Sequence, residues 1–108
     1  MENESQLKTL TENARAVIQC YKKEFPHVKI DEDYIPFKIT EEWGECIQAY
    51  LMLTDRGRKK GMTREEIHAR VSDECADVFA YLLVFAADHD IDLANAFEKK
   101  WMQYLKKS

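Results

Sequence analysis

The chain has few residues that interrupt helices, and its cysteines do not form a pattern that indicates a disulfide framework or a metal site. Its 108 residues include only three Gly and two Pro, and its three Cys have no metal-ligand spacing. Scarce Gly and Pro, with many Ala, Leu, Glu and Lys, indicate a helical protein. An odd number of thiols within helical patterns argues against a disulfide framework and favours reduced, buried cysteines, which are typical of the cytosol.

Long apolar runs and a net positive charge are also absent. The longest nearly apolar stretch, residues 75–87, is too short to cross a bilayer, and the start, Met1-Glu2-Asn3-Glu4, does not form a signal peptide. We therefore predict a cytoplasmic protein with no membrane partner. The formal net charge of -4 argues against nucleic acid as a main partner.

Hydrophobic periodicity predicts four helices in a single domain that spans residues 1–108. We place these helices at about 6–23, 36–54, 63–87 and 92–107. Pro36 suits a first helical turn, Thr63 with Glu66 forms a capping box, and Asp92 can cap the fourth helix. Four helices with short connections predict an all-α fold of the four-helix bundle type.

The second half of the third predicted helix is apolar nearly all round. Phe79, Leu83 and Val84 should face away from the stripe that contains Glu74. Since one small subunit covers such a helix poorly, we predict a homo-oligomer, either a dimer or a tetramer.

Two acidic pairs of equal spacing are the most informative feature of the sequence. Glu42 and Glu45 form the first, with Glu41 directly before them, and Glu74 and Asp77 form the second. Residues three apart lie on one face of a helix. At about 100° per residue, Glu74 falls within the apolar stripe of the third helix and Asp77 at its edge. These acids should therefore lie among buried residues.

An uncompensated cluster of such acids would be costly. Two like charges ~4 Å apart repel by about 4 kcal/mol at an effective dielectric near 20. Either several acids are protonated or a cation holds them together. Ligands that are all oxygen favour a hard ion, Mg²⁺ or Mn²⁺ before Zn²⁺. The alternative is a solvated acidic face with one ion pair inside the helices.

These residues resemble a known family. The segments 41–45 (EEWGE) and 74–77 (ECAD) are similar to the EExxE…ExxD signature of the MazG-like, all-α nucleoside triphosphate pyrophosphohydrolases, and residues 92–100 look like that family's fourth-helix motif. The resemblance covers residues 39–104. It implies a four-helix, dimeric or tetrameric hydrolase that uses Mg²⁺ to cleave a (d)NTP into the monophosphate and pyrophosphate, for the removal of unwanted or modified nucleotides.

The resemblance also implies roles for individual residues. The metal ligands would be Glu42, Glu45, Glu74 and Asp77. The catalytic residues would be Glu41 and Glu42, with Glu41 as an outer acid or the base for water. Lys100 would contact phosphate, and Tyr81 matches a position where some members carry a tyrosine near the nucleotide. Tyr104, which stands where the family often has Asn, completes the candidate substrate-binding set.

Other residues allow a second interpretation. Lys100 is predicted on the inner stripe of the fourth helix, where a lysine can also pair with an acid. The basic loop at residues 55–61 can close over phosphates, but solvated charge is favoured, and Trp43 is predicted to pack in the core. Two other functions stay open: a phosphoribosyl-ATP pyrophosphohydrolase-like enzyme, and a non-catalytic helical oligomer with a structural cation.

Overall fold

The computed structural model describes residues 2–106, with side chains for residues 6–105. It contains four helices and no strand in that part of the chain, so the all-α prediction is confirmed. The helices are α1 (Glu2–Glu24), α2 (Tyr34–Leu53), α3 (Arg64–Asp88) and α4 (Leu93–Lys106). Within the described residues, no helix is both long and apolar enough to cross a bilayer.

Local sequence signals set the starts of three helices. Before α2, the Tyr34 backbone N–H donates to Asp31 Oδ1 at 3.0 Å, and Pro36 lies in the first turn as predicted. A carboxylate before a helix start satisfies a backbone donor that has no partner within the helix.

The capping box of α3 is confirmed in both directions. The Glu66 N–H donates to Thr63 Oγ1 at 3.2 Å, and the Thr63 N–H donates to Glu66 Oε1 at 2.9 Å. At the start of α4, the Asn95 N–H donates to Asp92 Oδ1 at 3.0 Å, so Asp92 caps that helix as predicted. The bonds of Thr63 and Glu66 fix where α3 begins. They therefore also fix how far from the start of that helix the second acidic pair lies.

The chain divides into two compact units. The first, here called the acidic unit, is Ile30–Leu82 and contains α2 and most of α3. The second, here called the terminal unit, combines Met1–Lys29 with Leu83–Ser108 and contains α1, the end of α3 and α4. The predicted single domain covers both units and stays a prediction.

The buried face of α2 is rotated from the predicted one. It consists of five residues: Ile35, Glu42, Cys46, Ala49 and Met52. Trp43 is 53% exposed, so the prediction that it packs in the core is wrong. The helix has apolar residues on two faces, and the face that is buried carries the small side chains of Cys46 and Ala49, which let a neighbouring helix approach closely. This rotation brings Glu42 into the buried face.

The apolar residues of α3 differ from the prediction as well. Ile67 is fully buried, and Val71, Glu74, Val78 and Tyr81 are half-buried, so Glu74 lies on a partly buried stripe as predicted, but Leu82, which shares that stripe by its spacing, is exposed. Leu83 and Val84 were predicted to face away from that stripe and to need cover from a second subunit, but both are buried within this chain. The exposed apolar side chains of that region are Phe79 and Leu82.

Candidate metal centre

All five predicted carboxylates of the two acidic segments come together in the acidic unit. One carboxylate oxygen each from Glu42, Glu74 and Asp77 lie within 4.8 Å of one another, and the same holds for Glu41, Glu42 and Glu45. Glu42 belongs to both groups and therefore links the acids of α2 to those of α3. We call these five residues the acidic cluster.

Burial differs sharply among the members of the acidic cluster. Glu42 is 8% exposed and is the most buried of them. Glu45 and Glu74 are half-buried, whereas Glu41 and Asp77 are exposed. The Oε2 atom of Glu74 is buried, and no group among the described residues gives it a hydrogen bond. A buried carboxylate oxygen without a donor is costly, so this atom calls for a cation or a proton.

The electrostatics of α3 reflect this arrangement. Burial, together with the neighbouring carboxylates of Glu45, Glu42 and Asp77, raises the pKa of Glu74 to about 6. Burial also raises the pKa of Asp77, with further contributions from Glu42 and Asp73. Both carboxyl groups therefore hold protons more tightly than solvated ones, as expected when like charges share a site.

A lysine that the sequence analysis did not identify lies within the acidic cluster. Lys38 Nζ forms ion pairs with Glu41 and with Glu42 Oε1, the latter at 3.2 Å. Burial alone would lower the pKa of Lys38, but the hydrogen bonds to Glu41 and Glu42 outweigh it and raise this pKa. The available signal was its spacing, because residues three and four apart on a helix are neighbours.

Two tyrosine rings flank the same ammonium group. Lys38 Nζ lies 5.9 Å from the ring centroid of Tyr34 and 6.0 Å from that of Tyr81. The two rings meet edge to face, with their centroids 6.5 Å apart. Tyr81, predicted as a substrate-binding residue, therefore lies beside the acidic cluster, where it helps to hold Lys38 in place.

Two cysteines meet next to the acidic cluster. Cys46 Sγ on α2 lies 3.7 Å from Cys75 Sγ on α3, and these residues directly follow Glu45 and Glu74. Burial and the adjacent Cys75 raise the pKa of the Cys46 thiol. The prediction of three buried thiols is wrong for Cys20 and Cys75, which are exposed.

The remaining candidates for substrate binding lie on α4 in the terminal unit. Lys100 and Tyr104 are both exposed, so the prediction of an inner stripe on α4 is wrong within this chain. In the acidic unit, the basic loop is exposed, and Lys59 Nζ pairs with Asp55 Oδ1 at 2.6 Å. That pair agrees with the interpretation of the loop as solvated charge.

The donor set of the acidic cluster fits a small, hard cation. Every candidate ligand atom is a carboxylate oxygen, which is the ligand type that Mg²⁺ and Mn²⁺ prefer. The oxygens of each group lie within 4.8 Å of one another, so small side-chain shifts would let one such ion bind more than one of them. The unpartnered Glu74 Oε2 distinguishes this cluster from an ordinary solvated acidic face.

Comparison with known proteins finds no protein that is similar to this chain. No family model, no curated protein and no solved structure matches this chain. The resemblance to the MazG-like family therefore stays a prediction that rests on the acidic segments.

Proposed function

We propose that this chain is a Mg²⁺-dependent nucleoside triphosphate pyrophosphohydrolase that cleaves a (d)NTP into the monophosphate and pyrophosphate, with Mn²⁺ as a substitute ion. The observation that carries the proposal is that Glu42, Glu74 and Asp77 bring carboxylate oxygens within 4.8 Å of one another, while the buried Oε2 of Glu74 has no hydrogen-bond donor among the described residues. The proposed reaction class follows from the resemblance of the EExxE…ExxD pattern to that of the MazG-like family.

The charge balance of the acidic cluster supports a cation-dependent role. The five carboxylates of the acidic cluster lie near the ammonium group of Lys38, whose ion pairs are with Glu41 and Glu42 on α2. The acids of α3 carry the raised pKa values and the unpartnered oxygen. The surplus negative charge is therefore concentrated where α3 faces Glu42, between the two helices of the acidic unit.

Each member of the acidic cluster has a role in this proposal. Glu42, Glu45, Glu74 and Asp77 would hold the ion. The bound ion would supply Lewis-acid chemistry, since it screens the phosphate charge and lowers the pKa of an attacking water. Glu41 is exposed and hydrogen-bonded to Lys38, so its second oxygen is open to accept the proton of that water.

Lys38 is a positioning residue in this scheme. Its ammonium group bridges Glu41 and Glu42, and the rings of Tyr34 and Tyr81 restrict where that group can lie. It therefore fixes the side-chain orientation of a ligand and of the proposed base at the same time. Tyr81, beside the acidic cluster, is a proposed contact to the nucleotide, and the roles of Lys100 and Tyr104 in substrate binding stay predictions from the family resemblance.

We also propose that the active form is a homodimer or homotetramer. Four large apolar side chains of α4 are exposed by more than half, and their spacing places them on one face: Phe97, Trp101, Tyr104 and Leu105. The rings of Phe97 and Trp101 stack with centroids 6.1 Å apart. A second copy would remove this face from water. Light scattering of the reduced protein at micromolar concentration should show an oligomer, and a stable monomer would contradict the proposal.

The reaction is tested by identifying the first product. The purified chain is incubated with canonical and modified dNTPs, in Mg²⁺ or in excess chelator, and pyrophosphate and orthophosphate are measured separately. We expect pyrophosphate, released only with Mg²⁺. Glu74→Gln should lose most of this activity, whereas Glu65→Gln, an exposed acid in the first turn of the same helix, should keep it.

Three results would contradict the proposal. Orthophosphate as the first product would indicate another bond cleavage, and full activity in chelator would remove the need for the ion. Ion binding without turnover of any triphosphate would favour the non-catalytic oligomer with a structural cation. Turnover limited to histidine-pathway intermediates would favour the phosphoribosyl-ATP pyrophosphohydrolase-like alternative.

A further inference from the structure

Two thiols from different helices lie against each other in the acidic unit. The Sγ atoms of Cys46 and Cys75 are 3.7 Å apart, although the residues are 29 positions apart in the chain. A disulfide has an S–S distance near 2.05 Å, so the two sulfurs must approach by about 1.6 Å to form one.

The two cysteines differ in their access to solvent. Cys75 is exposed, whereas Cys46 is buried. An oxidant in solution can therefore reach Cys75, and the buried Cys46 thiol is adjacent as the second reactant. Oxidation-sensitive cysteines are accessible to solvent and often lie next to a second thiol that resolves the oxidised form.

We propose that Cys46 and Cys75 form a reversible oxidation site that closes to a disulfide in the presence of a hydroperoxide. The Cys75 sulfur attacks the terminal oxygen of the peroxide, the O–O bond breaks, and the leaving oxygen takes up the Cys75 thiol proton, so that a sulfenic acid forms and water or an alcohol is released. The Cys46 sulfur then attacks the sulfenic sulfur, the S–O bond breaks, and the hydroxyl group leaves as water with the Cys46 proton. The two thiols together lose two electrons, which reduce the peroxide, and a dithiol reductant reverses the reaction.

The position of this pair connects it to the acidic cluster. Cys46 directly follows Glu45, and Cys75 directly follows Glu74. A disulfide would move these segments of α2 and α3 toward each other, and the carboxylate oxygens of the acidic cluster lie within 4.8 Å of one another. We expect the oxidised protein to bind a divalent ion about tenfold more weakly, as when groups that orient ligands are disturbed. This consequence rests on the proposed metal site, whereas formation of the disulfide does not.

Mass spectrometry of the full-length chain tests the disulfide directly. The reduced protein is treated with hydrogen peroxide, free thiols are blocked, and peptides are mapped without reductant. We expect a peptide pair joined through Cys46 and Cys75 that dithiothreitol separates. Cys20→Ser is the matched control and should form the same link, because Cys20 is an exposed thiol in the terminal unit.

Two further variants keep the test decisive. Cys46→Ser should leave a sulfenic acid at Cys75 that dimedone traps, and Cys75→Ser should form no intramolecular link. Links that involve Cys20 alone, or overoxidation of Cys75 in the parent without any disulfide, would overturn the proposal.

Mn²⁺ titration of the reduced and the oxidised protein tests the consequence separately. Weaker binding after oxidation, restored by dithiothreitol, would support the coupling, and equal affinity would refute it. Failure of the reduced protein to bind Mn²⁺ would overturn the proposed metal site and the coupling together. Whether the disulfide forms is decided by the mass spectrometry alone.

Discussion

Lys38→Met removes the ammonium group that the acidic cluster holds in the absence of a divalent ion. The variant keeps a long apolar stem but leaves Glu41 and Glu42 without their ion-pair partner. Glu42 is 8% exposed, so water cannot replace the lost partner well. The parent and the variant should therefore differ most in stability when no divalent ion is present.

The size of the effect follows from how the pair is buried. Removing one partner of a fully buried ion pair costs about 3–5 kcal/mol. The Lys38 side chain is 22% exposed and that of Glu41 58% exposed, so these ion pairs lie well below this range, at about 1 kcal/mol. The contacts of Nζ with the rings of Tyr34 and Tyr81 add about 0.5–1 kcal/mol each at exposed sites. We expect a loss of about 2–3 kcal/mol in the free energy of unfolding.

Urea denaturation followed by circular dichroism measures this loss. Lys59→Met is the matched control, because Lys59 pairs with Asp55 through side chains that are 49% and 70% exposed. An exposed pair of this kind contributes less than about 1 kcal/mol. In chelator, Lys38→Met should be the less stable variant, and Mg²⁺ should stabilise it more than the parent. Equal stability of the two variants in chelator would refute the assignment of Lys38 as the internal counter-ion.

Further predictions concern Glu74 and Lys100. In chelator, Glu74→Gln should be as stable as the parent or more so, because it relieves a repulsion on the order of 1 kcal/mol. A thermal melt in which the variant is several kcal/mol less stable than the parent would indicate that Glu74 forms a structural hydrogen bond or ion pair. Because the pKa of Glu74 is raised from 4.5 to about 6, its contribution to stability in chelator is present below pH 4.5 and is lost as the pH rises through about 6. The rise in Tm on adding Mg²⁺ should therefore grow over that interval, and a flat response would contradict the assignment. Lys100→Met should raise KM or lower kcat by about tenfold, equivalent to about 1.4 kcal/mol, and unchanged kinetics would remove the proposed phosphate contact.

Local rules were sufficient for the starts of α3 and α4 and for the positions of the acids along each helix, whereas α1 and α2 begin before their predicted starts, at Glu2 and Tyr34. The box formed by Thr63 and Glu66 depends only on neighbours in the sequence, and so does the cap formed by Asp92. The burial of Glu74 followed from its phase relative to Ile67, because one helical period fixes which residues share a face.

Features that depend on how α2 meets α3 could not be predicted in the same way. The contact between Cys46 and Cys75 requires knowing which turn of one helix faces which turn of the other. The exposure of Trp43 has a similar origin, since α2 carries two apolar faces and tertiary packing selects one. Lys38 was missed for a different reason: its spacing to Glu42 was visible, but a lysine at that spacing is usually a solvated partner.

The central claim is that the acidic cluster binds a divalent ion, and Mn²⁺ titration followed by electron paramagnetic resonance tests it most directly. The reduced protein should show saturable Mn²⁺ binding that Mg²⁺ displaces. Glu42→Gln should weaken that binding by about tenfold or more, because Glu42 joins both groups of acids, whereas Glu65→Gln should leave it unchanged. Absence of saturable binding, or equal losses in Glu42→Gln and Glu65→Gln, would contradict the metal site.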